Sequence, residues 1–260
     1  MERTVLVGLQ FDGTHFAGWQ RQPQGRTVQG AFEAVLARLC GSPVVAHAAG
    51  RTDAGVHALG MAVSATVPAR WTPDALGRAL NALLPSDCWV QQVVETRSGF
   101  HARKCATART YEYRVGTDPA SRSPFRRPYE WALGRGLDLA QLHRAAELLP
   151  GRHDFRTLAV QTGGRRNCRC QVREARWAAR ACGGGLRFEI TADRFLHHMV
   201  RMLVGTMMQI AQARRPVEDL ALLLEGDGAV RASPPAPAEG LYFVRAEYPP
   251  HWFPDPASAT

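Results

Sequence analysis

The sequence predicts an α+β fold made of two halves that share one element order. Three observations carry this. Val5, Val7, Leu9 and Phe11 alternate with Thr4, Gly8 and Gln10, with Leu6 breaking the polar set, the period of a strand with one well-buried face. Val28, Phe32, Val35, Leu36 and Leu39 fall at helical spacing between Thr27, a capping residue, and Gly41, a stop. The same succession of strands and helices then recurs after residue 100.

In the first half, residues 4–11 read as a strand and residues 28–40 as a helix. A short run at 44–48 leads into a glycine-containing loop at 50–58, and a strand at 61–67 follows. Thr72-Pro73 opens a second helix as a cap with a first-turn proline should, with Leu76, Ala79, Leu80, Leu83 and Leu84 as its buried stripe. Residues 89–94 close the half as a strand. The order is β-α-β-β-α-β, the ferredoxin-like pattern.

The second half begins with a strand at 107–115. Asp138 and Gln141 form a capping box for a helix that ends at Pro150-Gly151. Residues 172–178 and 186–192 pair around Gly183-Gly184-Gly185, and a helix at 196–211 and a strand at 241–248 follow. An extra helix at 217–224 and a Pro-rich loop at 233–237 precede that last strand. The expected domains are residues 1–100, carrying the glycine loop, and 101–250, with a tail at 251–260 that reads as disordered. The expected arrangement is two ferredoxin-like halves with sheets side by side and a central basic cleft.

Composition narrows the function. The 260 residues are 45% hydrophobic and 21% charged, ordinary for a globular protein. The formal net charge of +9 favours a polyanionic partner, nucleic acid before an anionic membrane surface. Lys104 is the only lysine among 32 basic residues, so genome composition contributes to this bias. Arg97, His101, Arg103, Lys104 and Arg109 cluster where the halves meet, and Arg165, Arg166, Arg169, Arg173 and Arg176 form a second cluster. Either cluster suits phosphate binding or is a solvated face. The six cysteines show no CxxC pair, which suits a reduced cytoplasmic protein. Cys168 and Cys170 with His197 and His198 have the wrong spacing for the common zinc sites. No signal-peptide pattern opens the chain, and His197, His198 and Arg201 interrupt its most apolar stretch, so no membrane span is expected.

Motifs of nucleotide folds are missing: Lys104 is followed by cysteine, so there is no Walker A loop, and Gly183–Gly185 leads into a strand. The candidate chemistry sits at Gly50-Arg51-Thr52-Asp53-Ala54-Gly55-Val56-His57-Ala58. Two glycines free the backbone, and Asp53 and Arg51 bring opposite charges into one loop. On the 196–211 helix, His197, Arg201 and Met208 lie along one flank of the apolar stripe, with Gly205 one turn beyond Arg201. An arginine there either pairs with an anion, for which Asp53 is a fitting partner, or extends its head to water. Arg109 and Tyr111 share a strand face, which places a guanidinium beside an aromatic plane; that suits base stacking, or Tyr111 is a core residue.

Taken together the residues resemble a known family. Phe11-Asp12-Gly13-Thr14, Gly18-Trp19-Gln20 and Thr27-Val28-Gln29 are similar to the opening signature of the bacterial tRNA pseudouridine synthases of the TruA type. Residues 50–58 match that family's catalytic loop. Asn81 with Leu84-Pro85, Phe100-His101-Ala102-Arg103, Arg109-Thr110-Tyr111, His153-Asp154-Phe155, Phe195-Leu196 with His198-Met199-Val200-Arg201, and Ala236-Pro237-Ala238 with Gly240-Leu241 follow in order. Lys104-Cys105, Arg194 and Met202 depart from the pattern, and residues 160–170 match poorly.

The resemblance implies an isomerase that converts uridine to pseudouridine at positions 38, 39 and 40 of the tRNA anticodon stem-loop. It implies Asp53 as the catalytic aspartate, Arg201 as its charge partner, and Tyr111 as the residue that meets the uracil. It further implies Arg51, Thr52, His57, Phe100, His101, Arg103, Arg109 and Leu241 as substrate-binding residues, a homodimer, and no cofactor or metal. A silent RNA-binding protein and a different RNA-modifying enzyme are the alternatives. An aspartate is a poor choice for gripping phosphate, and a methyltransferase lacks its nucleotide-fold signature here.

Overall fold

Local sequence signals place the helices where they form. Thr27 Oγ1 accepts from the Gly30 N–H, and Gly41 takes a left-handed φ of 78°, so helix α1 runs Val28–Cys40. Thr72 caps helix α2, Pro73–Leu83, in the same way, and Asp138 Oδ1 accepts from the Gln141 N–H to start helix α3, Leu139–Glu147. Each such cap contributes about 1 kcal/mol. Helix α4 is Met199–Ala211 and helix α5 is Glu218–Glu225. The structure is a computed structural model, and it describes residues 1–160, 167–181, 183–226, 228 and 230–254. The readings at Arg165, Arg166, Cys182 and residues 255–260 lie outside the described residues.

Ten strands accompany these five α-helices among the described residues: β1 Glu2–Phe11, β2 His47–Ala48, β3 His57–Pro68, β4 Cys88–Thr96, β5 Ala108–Gly116, β6 Trp131–Ala132, β7 Gly151–Asp154, β8 Arg169–Ala179, β9 Gly185–Ala192 and β10 Leu241–Glu247. The fold is therefore mixed α/β with mostly antiparallel strands. Contacts divide the chain into two units, one formed by Met1–Arg109 with the chain from Phe243 onward, the other by Thr110–Tyr242. The cuts fall inside β5 and β10. Residues 101–109 join the first unit because the Ala102 N–H donates to Ser64 Oγ at 3.0 Å and the Thr107 N–H to Glu247 O at 2.9 Å.

In the first unit β1 lies between β4 and β3, antiparallel to both. Strand β2 pairs with β3 through His47↔Ser64 and Ala48↔Val63. The β1–β3 register shifts between Leu9 and Phe11, so β3 carries an extra residue near Gly60. Val5, Val7 and Leu9 from β1 meet Val28, Phe32 and Leu36 from α1 and Leu76 and Leu80 from α2 in the core, all with 0% exposure. The residue 50–58 loop connects β2 to β3 at the end of this sheet.

In the second unit the strand order is β5-β9-β8-β7. Leu203, Val204 and Met207 bury one stripe of α4, and the Trp177 indole on β8 donates to Met207 Sδ at 3.4 Å. Helix α4 begins at Met199, three residues later than the apolar spacing suggests, because His198 adopts φ 63°, a left-handed conformation that ends the preceding segment. No helix among the described residues is long and apolar enough to cross a membrane.

Candidate active site

Asp53 opens a turn that closes with the Val56 N–H donating to Asp53 O at 3.2 Å. Gly55 supplies φ 79° at the third position while Ala54 keeps a negative φ, the type II pattern. The carboxylate is partly exposed and its neighbours Thr52 and Val56 are buried.

The segment 12–19 holds this loop mainly by its backbone. The Trp19 N–H donates to Thr52 O at 3.1 Å and the Gly55 N–H to Phe16 O at 3.3 Å. Close approach demands glycine. A Cβ on Gly13 would lie 2.0 Å from Val56 O, and one on Gly18, whose φ is 97°, would lie 2.7 Å from Thr52 O. Cation–π contact of Arg26 with the Phe16 ring, 4.1 Å from its centroid, steadies the outer side of the segment.

His57 completes the hold. Its ring is 2% exposed, and Nδ1 lies 3.1 Å from the Gly13 N–H and 3.2 Å from Asp12 Oδ1. These two contacts make opposite demands on Nδ1. The Gly13 amide can only donate, so Nδ1 accepts and the ring proton sits on Nε2. Asp12 Oδ1 also accepts from the Thr14 N–H and Oγ1 at 2.9 and 2.6 Å.

Arg109, at the start of β5 in the same unit, donates Nε to Ala49 O at 3.2 Å, one NH2 group to Ala106 O at 3.0 Å, and the other to Arg103 O. The turn it touches carries the exposed side chains of Arg103 and Lys104. Phe100, at the head of this turn, is 5% exposed and packs edge-on against Tyr248 and Trp252, at 5.0 and 5.7 Å. His101 stacks on His47 with centroids 4.3 Å apart and planes 20° apart. Its Nδ1 accepts from the Arg103 N–H at 3.1 Å. Burial, then the neighbouring His47 and Lys104, push its pKa below the ordinary 6.5.

In the second unit Tyr111 is 7% exposed and meets the Phe195 ring edge-on at 4.8 Å. Arg201 Nε donates to Ala236 O at 2.7 Å, and the Ala236 N–H donates back to Arg201 O at 2.9 Å. Gly205 lets the Pro-rich segment lie on α4, since a Cβ there would meet Pro234 O at 2.2 Å. Leu241 is 6% exposed at the start of β10. Cys168 and Cys170 are buried side by side on or beside β8, and burial raises the Cys170 thiol to about 11, the behaviour of packed thiols.

The sequence-predicted residues thus separate by setting. Arg51 and Arg103 are exposed cations, Asp53, His101, Arg109 and Arg201 are partly exposed, and Thr52, His57, Phe100, Tyr111 and Leu241 are buried. Asp53, Arg51, Thr52, His57, Phe100, His101, Arg103 and Arg109 belong to the first unit, and Tyr111, Arg201 and Leu241 to the second. Sequence reasoning missed Ala49 and His47. Their parts are a carbonyl acceptor and a stacking face, and neither has a composition signal.

A loop-borne carboxylate held by main-chain contacts, in a strongly basic α/β protein, is the candidate site. Comparison with known proteins makes this specific. The model of the tRNA pseudouridine synthase family matches residues 9–103 and 145–249. The chain is 40% identical over 246 residues to tRNA pseudouridine synthase A of Moorella thermoacetica, covering 94% of this chain and 99% of that protein. It is 41% identical to the proteins of that name from Solidesulfovibrio magneticus, over 251 residues, and Geobacillus kaustophilus, over 250; these cover 94% and 95% of this chain and 90% and 95% of theirs. The chain belongs to the tRNA pseudouridine synthase family. It is an isomerase that acts on tRNA.

Proposed function

We propose that this chain converts uridine to pseudouridine at positions 38, 39 and 40 of the tRNA anticodon stem-loop, with Asp53 as the reacting carboxylate. Family membership carries the activity. The partly exposed Asp53, on a turn whose neighbours are pinned, supports the assignment of the residue. In the reaction the C1′–N1 bond breaks, uracil turns, and a C1′–C5 bond forms. The C5 proton is lost and N1 gains one. Atoms and electrons balance without a redox partner. An ionised carboxylate can attack C1′, add to C6, or take the 2′ proton, and each route uses Asp53.

Tyr111 and Arg201 complete the proposed catalytic set. Arg201 supplies the cation that favours the ionised carboxylate, and Tyr111 the ring that meets the uracil. Arg51, Arg103 and His101 present cationic and planar groups suited to phosphate and an unstacked base. Thr52, Phe100 and Leu241 shape the substrate surface from within. A stem uridine must leave the stack at a cost of about a few kcal/mol, which phosphate contacts offset. The ferredoxin-like pattern of each half, a homodimeric assembly and a cytoplasmic location belong to the same reading. The order β4-β1-β3 with β2 beyond it supports the fold pattern in the first unit.

The test is tritium release from tRNA labelled at uridine C5, with the modified positions mapped by carbodiimide-blocked primer extension. Wild type is expected to release tritium and to stop extension at 38–40, and Asp53→Asn to release none. Wild-type release at other positions would overturn the site; full activity of Asp53→Asn would overturn the carboxylate.

A further inference from the structure

Arg109 looks, from sequence, like an RNA contact: a cation beside an aromatic residue in a basic cluster. Its surroundings point elsewhere. A guanidinium has five N–H donors in a planar fork. Three of them go to backbone carbonyls, of Ala49, Ala106 and Arg103, from three directions. Ala49 is the stem of the Asp53 loop, and its own N–H is committed to Ala62 O on β3 at 2.8 Å. Ala106 and Arg103 belong to the turn that presents Arg103 and Lys104 to solvent.

That turn is itself built onto the sheet. The Ala102 N–H donates to Ser64 Oγ at 3.0 Å, and Tyr248 Oη donates to Ala102 O at 2.8 Å. The Cys105 N–H closes it on His101 O at 3.0 Å. Arg109 ties this turn to the loop stem by hydrogen bonds, beside the His101–His47 stack. Burial first, against the opposing pull of the Arg109 charge, raises the Tyr248 hydroxyl pKa, so Tyr248 stays a neutral donor beside the cation.

We propose that Arg109 is a positioning residue: a cross-brace that fixes the spacing between the Asp53 loop and the cation-bearing turn, rather than a phosphate contact. The proposal rests on the assignment of Asp53 made above. Through Ala49 the brace governs where the carboxylate stands. Through Arg103 O and Ala106 O it governs where the turn's cations meet the RNA backbone. Lysine keeps the charge at this position but cannot reach three carbonyls at once. Glutamine keeps an N–H donor and loses the charge.

The experiment uses the full chain and whole tRNA, at a temperature where circular dichroism shows each variant folded. For Arg109→Lys and Arg109→Gln, kcat and KM are measured by tritium release, and tRNA Kd as a function of salt. Both variants are expected to lose roughly tenfold or more in kcat, the scale of a reacting group displaced by a fraction of an ångström. KM should stay within about twofold, and the slope of log Kd against log salt should be that of wild type. A phosphate contact behaves otherwise. Arg109→Gln would then lower the salt slope by about 1 and weaken binding, while Arg109→Lys would keep both. That pattern, or wild-type kcat in both variants, overturns the proposal. Arg103→Gln serves as the reference for a cation that does meet phosphate. Failure of the functional reading itself is distinct, since wild-type protein would then release no tritium.

Discussion

Arg201 and Ala236 hold each other twice, through Arg201 Nε to Ala236 O at 2.7 Å and the Ala236 N–H to Arg201 O at 2.9 Å. The guanidinium is therefore aimed by the Pro-rich segment, and that segment can lie against α4 only because residue 205 is glycine. Gly205→Ala would place a Cβ 2.2 Å from Pro234 O. The segment must move, and the Arg201–Ala236 pair with it. The expected cost is about 1–3 kcal/mol in urea unfolding, the range for overpacking, with a fall in kcat. Wild-type stability and turnover in the Gly205→Ala variant would show that the segment does not aim Arg201.

His57 gives a sharper substitution pair. Its Nδ1 is the acceptor for the buried Gly13 N–H. Asparagine can present an oxygen near the same place, whereas phenylalanine fills the volume and strands the amide. His57→Phe is expected to destabilise by about 1–3 kcal/mol, the cost of an unsatisfied buried donor, and His57→Asn by clearly less. Denaturant unfolding of the two proteins checks the order. Equal losses would mean that shape, not the acceptor, is what residue 57 supplies.

Gly18 tests the other side of the loop. With φ 97° and Thr52 O 2.7 Å from a virtual Cβ, Gly18→Ala meets both a backbone and a packing penalty. Turnover should fall more than tRNA affinity, because Thr52 lies next to Asp53, the proposed reacting residue, while of the exposed cations Arg51 alone shares its loop and Arg103 and Lys104 stand on another turn. Gel-shift affinity beside single-turnover rates separates the two.

The His47–His101 stack predicts a pH dependence. Burial first, then His47 and Lys104, with Arg103 adding to them, lower the folded-state pKa of His101 from 6.5. The unfolded chain therefore takes up this proton first as pH falls. The stability contributed by the neutral ring is complete above pH 6.5 and is lost as pH drops from 6.5 through the lowered folded value. Proton NMR should find the His101 titration midpoint below 6.5, and His47→Ala should bring it back up. A midpoint at or above 6.5 would contradict the stacked arrangement.

Much of the fold is legible from sequence because its signals are local. Thr27 with Gly41, and Thr72 with Pro73, act within one turn of chain, and the helices start and stop there. His198 defeats that reading. Nothing in Leu196-His197-His198 announces a left-handed residue, so the apolar spacing carried the helix three residues too far. Strand β7 is four residues long and exists by pairing with β8, a non-local cause. At the candidate site, residue type singles out Asp53, but where Arg109 and Phe100 go also depends on partners far along the chain, Ala49 for Arg109 and Tyr248 and Trp252 for Phe100. The same guanidinium in the same basic cluster can face water or three carbonyls, and sequence is silent between them.

The clamp on the Asp53 loop has an evolutionary consequence. Its contacts from residues 16 and 19 use Phe16 O and the Trp19 N–H, while Thr14 and His15 are exposed. The side chain at 15 can therefore change without disturbing the carboxylate, whereas that of Thr14 is held to Asp12. Adding or removing one residue between Gly13 and Gly18 would instead throw every carbonyl and amide out of step. Selection here acts on the length of a ribbon rather than on its lettering.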